Sequence, residues 1–241
     1  MTPAELPIMA IRGPVLTALG QGNRLVITAP TGAGKSTQVP QFLLRTAAIR
    51  GQVLVLQPRR LAARVLAERV AQELGEPPGQ TVGYRTRFEH CGGPGTRLWF
   101  LTEGLLPRRL LDSPGLDGVD AVVFDEFHER SLTSDVTLGL MRSLQERRPD
   151  LRLVVMSATL DAEAVCRYLG GCPHLHADGR LYPIETRYAE RPASLEVWDD
   201  AARAAAALVR EGGDGDLLVF LPGVYEIQRA MESCRRLLGN V

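Results

Sequence analysis

Lysine is almost missing from this 241-residue chain, since of its 28 basic residues only Lys35 is a lysine. Asparagine is nearly as scarce, confined to Asn23 and Asn240. Beside abundant Ala, Gly, Pro and Leu, this pattern fits a coding bias that exchanged lysine for arginine wherever either cation served. A lysine that survives such a bias marks a place for a compact ammonium that a planar guanidinium cannot replace. Net charge is lacking too, because 28 basic residues face 28 acidic ones. Bulk charge therefore gives no argument for a polyanion, a membrane surface or an acidic substrate, and such a partner has to be met locally.

The four cysteines (Cys91, Cys166, Cys172, Cys234) are scattered and imply no disulfide framework. Residues 1–20 lack a basic stretch followed by a continuous apolar run, and no segment approaches the roughly 18 apolar residues that span a bilayer. The expectation is a soluble, reducing, cytoplasmic setting without membrane contact. Hydrophobic residues at 45% and charged ones at 23% exclude wholesale disorder and collagen-like or coiled-coil composition. The length suits one large domain, or one domain and part of a second.

What recurs is a strand followed by a helix. Short apolar, β-rich runs at Leu25–Thr28, Val53–Gln57, Leu98–Leu101, Ala121–Phe124 and Leu153–Met156 are bounded by turn residues. Helical segments follow them at Lys35–Ala48, Leu61–Leu74, Glu103–Leu111, Thr133–Gln145 and Asp161–Leu169. This alternation predicts an α/β fold with a mostly parallel sheet covered by helices on both sides. After Thr159 comes one more helix, then a Gly-, Pro- and His-rich stretch (Gly170–Pro192) that reads as an interdomain connection. Beyond it lie a helix around Leu195–Arg210, a strand at Leu217–Leu221 and a helix at Val224–Leu238. One strand with two helices cannot bury a domain-sized core, so a second domain is expected to be truncated or completed from outside.

Ligands of open α/β sheets bind beyond the carboxyl ends of the strands, and there the sequence is polar five times over. The clusters are Thr31-Gly32-Ala33-Gly34-Lys35-Ser36, Pro58-Arg59-Arg60, Thr102-Glu103-Gly104, Asp125-Glu126-Phe127-His128 and Ser157-Ala158-Thr159. The first, from Ala29, matches the phosphate loop GxxxxGK[ST] except that alanine stands at the first glycine. Between a strand and a helix, Gly32 and Gly34 let backbone N–H groups turn toward phosphate oxygens at a helix N-terminus. Lys35 then reaches the β- and γ-phosphates of ATP, the Ser36 hydroxyl ligates Mg2+, and Thr37 closes the loop. Asp125 at the end of an apolar strand holds the metal, generally through water, while Glu126 orients and deprotonates the attacking water.

Taken in this order, the clusters resemble the superfamily 2 helicases and, within them, the DEAH-box group. Asp125-Glu126-Phe127-His128 differs from that group's name only at Phe127, a variant that resembles the HrpB-type bacterial branch. Gln57-Pro-Arg-Arg-Leu-Ala-Ala63, Arg69-Val-Ala71, Val82-Gly-Tyr84 with Arg87-Phe-Glu89, Gly179-Arg180 with Tyr182-Pro183, and Leu218-Val-Phe-Leu-Pro-Gly223 add to it. The resemblance implies a RecA-like ATP-binding domain over residues 1–178, a linker over 179–192 and the beginning of a second RecA-like domain over 193–241. It implies that Arg59, Arg60 and Thr102 hold nucleic-acid phosphates, with Glu103 and Gly104 shaping that contact. Ser157 and Thr159 would couple the ATP state to the nucleic-acid track, His128 would relay between them and the γ-phosphate, and Arg69 would stack on adenine. The implied partner is single-stranded nucleic acid, RNA in preference to DNA on resemblance alone, read through its backbone. The family completes its ATP site with arginines of a later motif, so these residues by themselves are expected to bind nucleotide but hydrolyse it slowly.

Other readings compete. A nucleotide-gated RNA-binding or assembly module would share the same motifs without unwinding, whereas a small-molecule kinase would have no use for the Ser157 and Thr102 clusters. Cys166, Cys172, His174 and His176 gather potential zinc ligands, but no CxxC pair and no finger-like pattern accompany them, and zinc is not expected.

Overall fold

The structure, a computed structural model, describes residues 3–158, 162–179, 184–189, 195–212 and 215–239. Eight strands run in chain order as β1 (Arg24–Thr28), β2 (Gln52–Gln57), β3 (Val82–Arg85), β4 (His90–Cys91), β5 (Leu98–Thr102), β6 (Val119–Phe124), β7 (Arg152–Ser157) and β8 (His174–His176). They form one sheet in the order β4-β3-β5-β2-β6-β7-β1-β8. Every pairing is parallel except the β3–β4 hairpin.

The central strands are apolar on both faces because both faces are covered. In β1, Leu25 and Ile27 enter one core and Val26 the other; in β7, Val154 and Met156 oppose Leu153 and Val155 in the same way. The first core is roofed by α1 (Arg12–Gln21), α2 (Lys35–Arg45) and α3 (Arg60–Leu74), the second by α4 (Leu105–Asp112), α5 (Leu132–Leu144) and α6 (Ala162–Tyr168). Local chemistry sets several ends. Ser131 caps α5 by accepting from the Ser134 N–H at 2.9 Å, and Gly75 closes α3 with φ of +76°.

The five expected strands are all present, within a residue or two of their expected ends. Strands β3, β4 and β8 are too short to show a period of their own. β3 also contains Gly83, required because a Cβ there would overlap the Cys91 carbonyl oxygen of β4. β8 corrects the reading of 170–192 as a connection throughout: His174–His176 pairs with Val26–Thr28 and extends the sheet by one strand.

The chain divides into two units, Met1–Leu181 and Tyr182–Val241. In the second, α7 (Val197–Arg210) and α8 (Val224–Leu238) bury Ala202, Ala206 and Ala230. Trp198 meets the Tyr225 ring edge-on at 5.6 Å, and the Ser233 hydroxyl donates to Asp199 at 2.6 Å. The expected strand Leu217–Leu221 is not formed, and Leu218 and Phe220 are 80% and 86% exposed. A strand needs a neighbour for its backbone N–H and C=O groups, and none of the described residues supplies one.

Candidate active site

Strand order converts the sequence clusters into a rim. Passing along the carboxyl ends from the β3 side, one meets Arg85–Arg87, Thr102 at the end of β5, Gln57 at the end of β2 with Arg59 and Arg60 after it, Asp125 after β6, Ser157 at the end of β7, and the loop after β1. Because β7 lies between β6 and β1, Ser157 stands between the acidic pair and the glycine-rich loop.

The loop is built as its glycines require. Gly32 and Gly34 have φ of +82° and +91°, and Gly34 is the residue before α2, so the loop delivers backbone N–H groups to a helix N-terminus. Leu6 and Ile8 press on this turn, with Leu6 Cδ1 2.8 Å from where a Gly34 Cβ would sit, and the Ile8 N–H donates to the Ala33 carbonyl at 3.1 Å. Ala29, in place of the loop's first glycine, is fully buried and donates its N–H to the Ser157 carbonyl at 3.1 Å. The methyl group finds room, and the substitution leaves the loop's shape intact.

Lys35 is 3% exposed and places Nζ 3.2 Å from Glu126 Oε1. Glu126 holds an uncommon left-handed backbone for a non-glycine residue, with φ of +50°. Its other oxygen lies 3.4 Å from His128 Nδ1, and that nitrogen is 3.5 Å from the Ala158 N–H. One ring nitrogen cannot serve both: as N–H it faces the carboxylate, and as a bare nitrogen it accepts from Ala158. Lys35, Glu126, His128 and the turn after β7 thus form a continuous chain of contacts.

Asp125 is fully enclosed. Gln57 Nε2 donates to its Oδ2 at 2.6 Å and the Glu126 N–H to its Oδ1 at 2.9 Å. Burial, reinforced by the Glu126 charge, pushes the Asp125 carboxyl above the usual carboxylate range, against hydrogen bonds from Ser36 and Gln57 and the Lys35 charge. Two acids and a serine hydroxyl against one buried lysine form an oxygen-rich, charge-deficient set that fits a hard divalent cation.

A cavity of about 300 Å³ opens over the loop, lined by Thr31, Gly32, Gly34, Lys35, Ser36 and Thr37 together with Leu6, Arg69, Glu73 and Glu126. Arg69 Nε donates to Glu73 Oε1 at 2.8 Å, while Gln38 and Gln41 both donate to Glu73 Oε2 at 2.8 Å. A second cavity of about 460 Å³ gathers Arg60, Arg87, Thr102, Glu103, Gly104 and Ser131. Ser131 Oγ donates to Glu103 at 2.6 Å, and the Arg60 guanidinium covers the Phe88 ring at 4.7 Å. Arg59 is not among that cavity's lining residues; its guanidinium meets Glu129 at 3.2 Å.

The profile of the DEAD/DEAH box helicases matches residues 11–167. The chain belongs to that family. It is 46% identical over 238 residues to the ATP-dependent RNA helicase HrpB of Escherichia coli (strain K12), covering 98% of this chain and 29% of that protein. A crystal structure of the E. coli DEAH/RHA helicase HrpB superposes with a TM-score of 0.91 at 46% identity, covering 98% of this chain and 30% of that one. A crystal structure of the E. coli DExH-box NTPase HrpB gives a TM-score of 0.80, also at 46% identity, over 100% and 30%. The chain thus spans less than a third of the length of these relatives.

Within this helicase-family chain, the structure brings Thr31–Thr37, Arg69, Asp125, Glu126 and His128 to one side of the rim and Arg60, Thr102, Glu103 and Gly104 to another. Thr159, like Arg180, Tyr182 and Pro183, lies outside the described residues. Sequence reasoning missed Gln57 as a partner of Asp125, and Glu73 with Gln38 and Gln41 behind Arg69. Gln57 carried a legible signal, a polar side chain ending an apolar strand. Glu73 carried none, because its role depends on α2 lying beside α3. His174 and His176 turn to the Thr28 hydroxyl, at 2.7 and 2.9 Å, just ahead of the loop. Cys172 instead hydrogen-bonds with Cys166, and both thiols pack against the second core.

Proposed function

We propose that these residues are the ATP-hydrolysing part of an RNA helicase motor. ATP lies over the loop, its phosphates against the N–H groups of Gly32–Thr37 and Lys35 Nζ, its adenine beside Arg69. Ser36 and Asp125 hold Mg2+, which when bound supplies the positive charge that the β- and γ-phosphate oxygens require. Glu126 takes the proton of the attacking water and is oriented for it by Lys35 on one oxygen and His128 on the other. His128 exchanges its partner between Glu126 and the Ala158 N–H as the charge on Glu126 changes, which passes the state of the γ-phosphate site to the turn after β7. Arg60, Thr102, Glu103 and Gly104 receive the backbone of a single strand, RNA in preference to DNA, in the setting of the cytoplasm.

The observation that carries this reading is the unbroken contact chain Lys35–Glu126–His128–Ala158, which a plain nucleotide-binding domain has no reason to build. Residues 1–178 would be the ATP-binding lobe, 179–192 a linker and 193–241 the beginning of a second RecA-like lobe. Among the described residues Arg69 is the one arginine lining the nucleotide cavity, and its guanidinium is engaged by Glu73. We expect the 241 residues alone to hydrolyse ATP slowly, since among the described residues no second arginine lines the cavity to meet charge on the transferring phosphoryl group. The test is ATP turnover with and without single-stranded RNA, in this chain and in a longer protein containing it, with Lys35→Ala and Glu126→Gln as controls. Strong RNA-stimulated turnover by the 241 residues alone overturns the expected slowness, and turnover that RNA leaves unchanged in the longer protein, or that survives Lys35→Ala and Glu126→Gln, overturns the reading itself.

A further inference from the structure

A third cavity, of about 320 Å³, lies where the roofing of the sheet is thinnest. No helix follows β3, which returns as the β3–β4 hairpin, and α4 is short, so a cavity forms beside α4 over the buried Trp99 and Leu101. Its volume falls in the roughly 300–1,000 Å³ range of small-ligand sites. The floor is aromatic: His90 stacks on the buried Trp99 with centroids 5.4 Å apart and planes at 27°, which leaves the outer face of the exposed imidazole free. The walls carry Arg85, Arg108 and Arg109 against one acid, Asp112.

None of these three guanidiniums makes an ion pair among the described residues. What marks them is that all three line one cavity beside a single carboxylate. Arg109 is half-buried, donates to Gln52 Oε1 at 2.9 Å, and is held below the usual guanidinium range by that burial and by the nearby charge of Arg85. Unpaired cations converging over an aromatic platform suit an anionic group joined to a flat ring. Leu105 and Arg108 line both this cavity and the one containing Thr102, Glu103 and Gly104, so the two adjoin at the first turn of α4.

We propose that this cavity receives one nucleotide of the single strand that crosses the Thr102–Gly104 rim, its phosphate between Arg109 and Arg85 and its base on the free face of His90. The inference rests on the rim reading given above. It extends the strand's path away from the nucleotide site, into the cavity beside α4. Stacking of this kind tolerates any base, so the pocket lengthens the footprint without adding sequence preference.

The test measures binding of labelled oligouridylates of stepped length to the 241-residue chain by fluorescence anisotropy across a salt series. The variants are R85Q/R109Q, H90A and, on the rim, R60A, with thermal melts to show that each remains folded. A strand long enough to pass the rim should bind the double variant about tenfold more weakly, with the slope of log K against log salt reduced by about 0.7 per lost phosphate contact. H90A, an exposed position, should weaken the long strand several-fold through lost stacking at unchanged salt slope. A strand that ends on the rim should be indifferent to both. If R60A weakens binding while the pocket variants leave the long strand unchanged, or weaken short and long strands alike, the pocket proposal falls and the rim reading stands. If R60A and the pocket variants alike have no effect, the rim reading falls first and the pocket with it.

Discussion

The two ends of the strand rim are built on opposite plans. At the β1–β6 end the reactive groups are enclosed and hold one another: Lys35, Asp125 and Ser157 are at most 3% exposed, and Glu126 is fastened on both oxygens. At the β2–β5 end the groups that would meet a strand stand in solvent, with Arg59 and Arg60 both exposed and Arg59 held by a surface ion pair. Chemistry on a phosphoryl group needs dipoles fixed before the reaction, which burial provides. A polymer that slides past needs many weak, replaceable contacts, which exposure provides. Substitutions should therefore act in an all-or-none manner at the first end and by small increments at the second.

The largest contrast is expected at Glu126. Glu126→Gln keeps the shape but cannot take a proton, and single-turnover hydrolysis should fall by about 10²–10⁴ while nucleotide affinity is largely kept. Lys35→Ala should abolish detectable nucleotide binding in the same titrations. Comparable residual turnover in Glu126→Gln and the parent chain would erase the distinction between the two ends.

Two glycines make the comparison sharper. Gly34→Ala forces φ of +91° on an alanine and drives its Cβ toward Leu6, so a loss of about 1–2 kcal/mol and a lower Tm are expected together with weaker nucleotide binding. Gly104→Ala meets nothing within 4 Å at φ of −66° and should leave Tm within a degree or so of the parent, an expectation of near-neutrality for an open surface site. Thermal melts of the pair decide it.

Arg60→Ala should reduce single-strand affinity only several-fold, lower the salt slope by about 0.7, and leave unstimulated hydrolysis alone. An effect on basal turnover as large as that of Glu126→Gln would show that the rim is part of the enclosed machinery.

The smallest effect belongs to the far edge of the sheet, at the half-buried Cys172 just before β8. Burial and the neighbouring Cys166 push its thiol up to about 12, from an ordinary value near 9. Because the folded value is the higher one, the neutral thiol's contribution to stability is complete below about pH 9 and is lost as pH rises toward 12. Alkylation at pH 8 should be slow in the folded chain and fast in urea, read by mass spectrometry.

Much of this was legible along the chain. The lone lysine in an arginine-rich sequence marked the glycine-rich loop before any fold was known, because a site that needs a compact ammonium accepts no guanidinium. The five long strands were readable since burial on both faces demands continuous apolar runs, as in Leu153–Met156. The run Leu217–Leu221 shows the reverse: it has the same apolar character as β7, yet it forms no strand among the described residues, since a strand is a pairing and not a property of its own side chains. β8 was hidden for the complementary reason, as three residues with two histidines become a strand only because β1 lies open beside them.

The sequence alone determined which chemical groups this chain possesses and that each follows a strand, since residue type and local period are properties of the chain. Only the tertiary structure decided their adjacency. The strand order puts β7 between β6 and β1 and β2 between β5 and β6, so that Ser157 comes between the loop and Asp125, and Gln57 reaches Asp125 across 68 residues. It also left a cavity beside α4, with three arginines around it, because which strands lie together and which helix is too short to cover them are matters of packing between segments far apart in the chain.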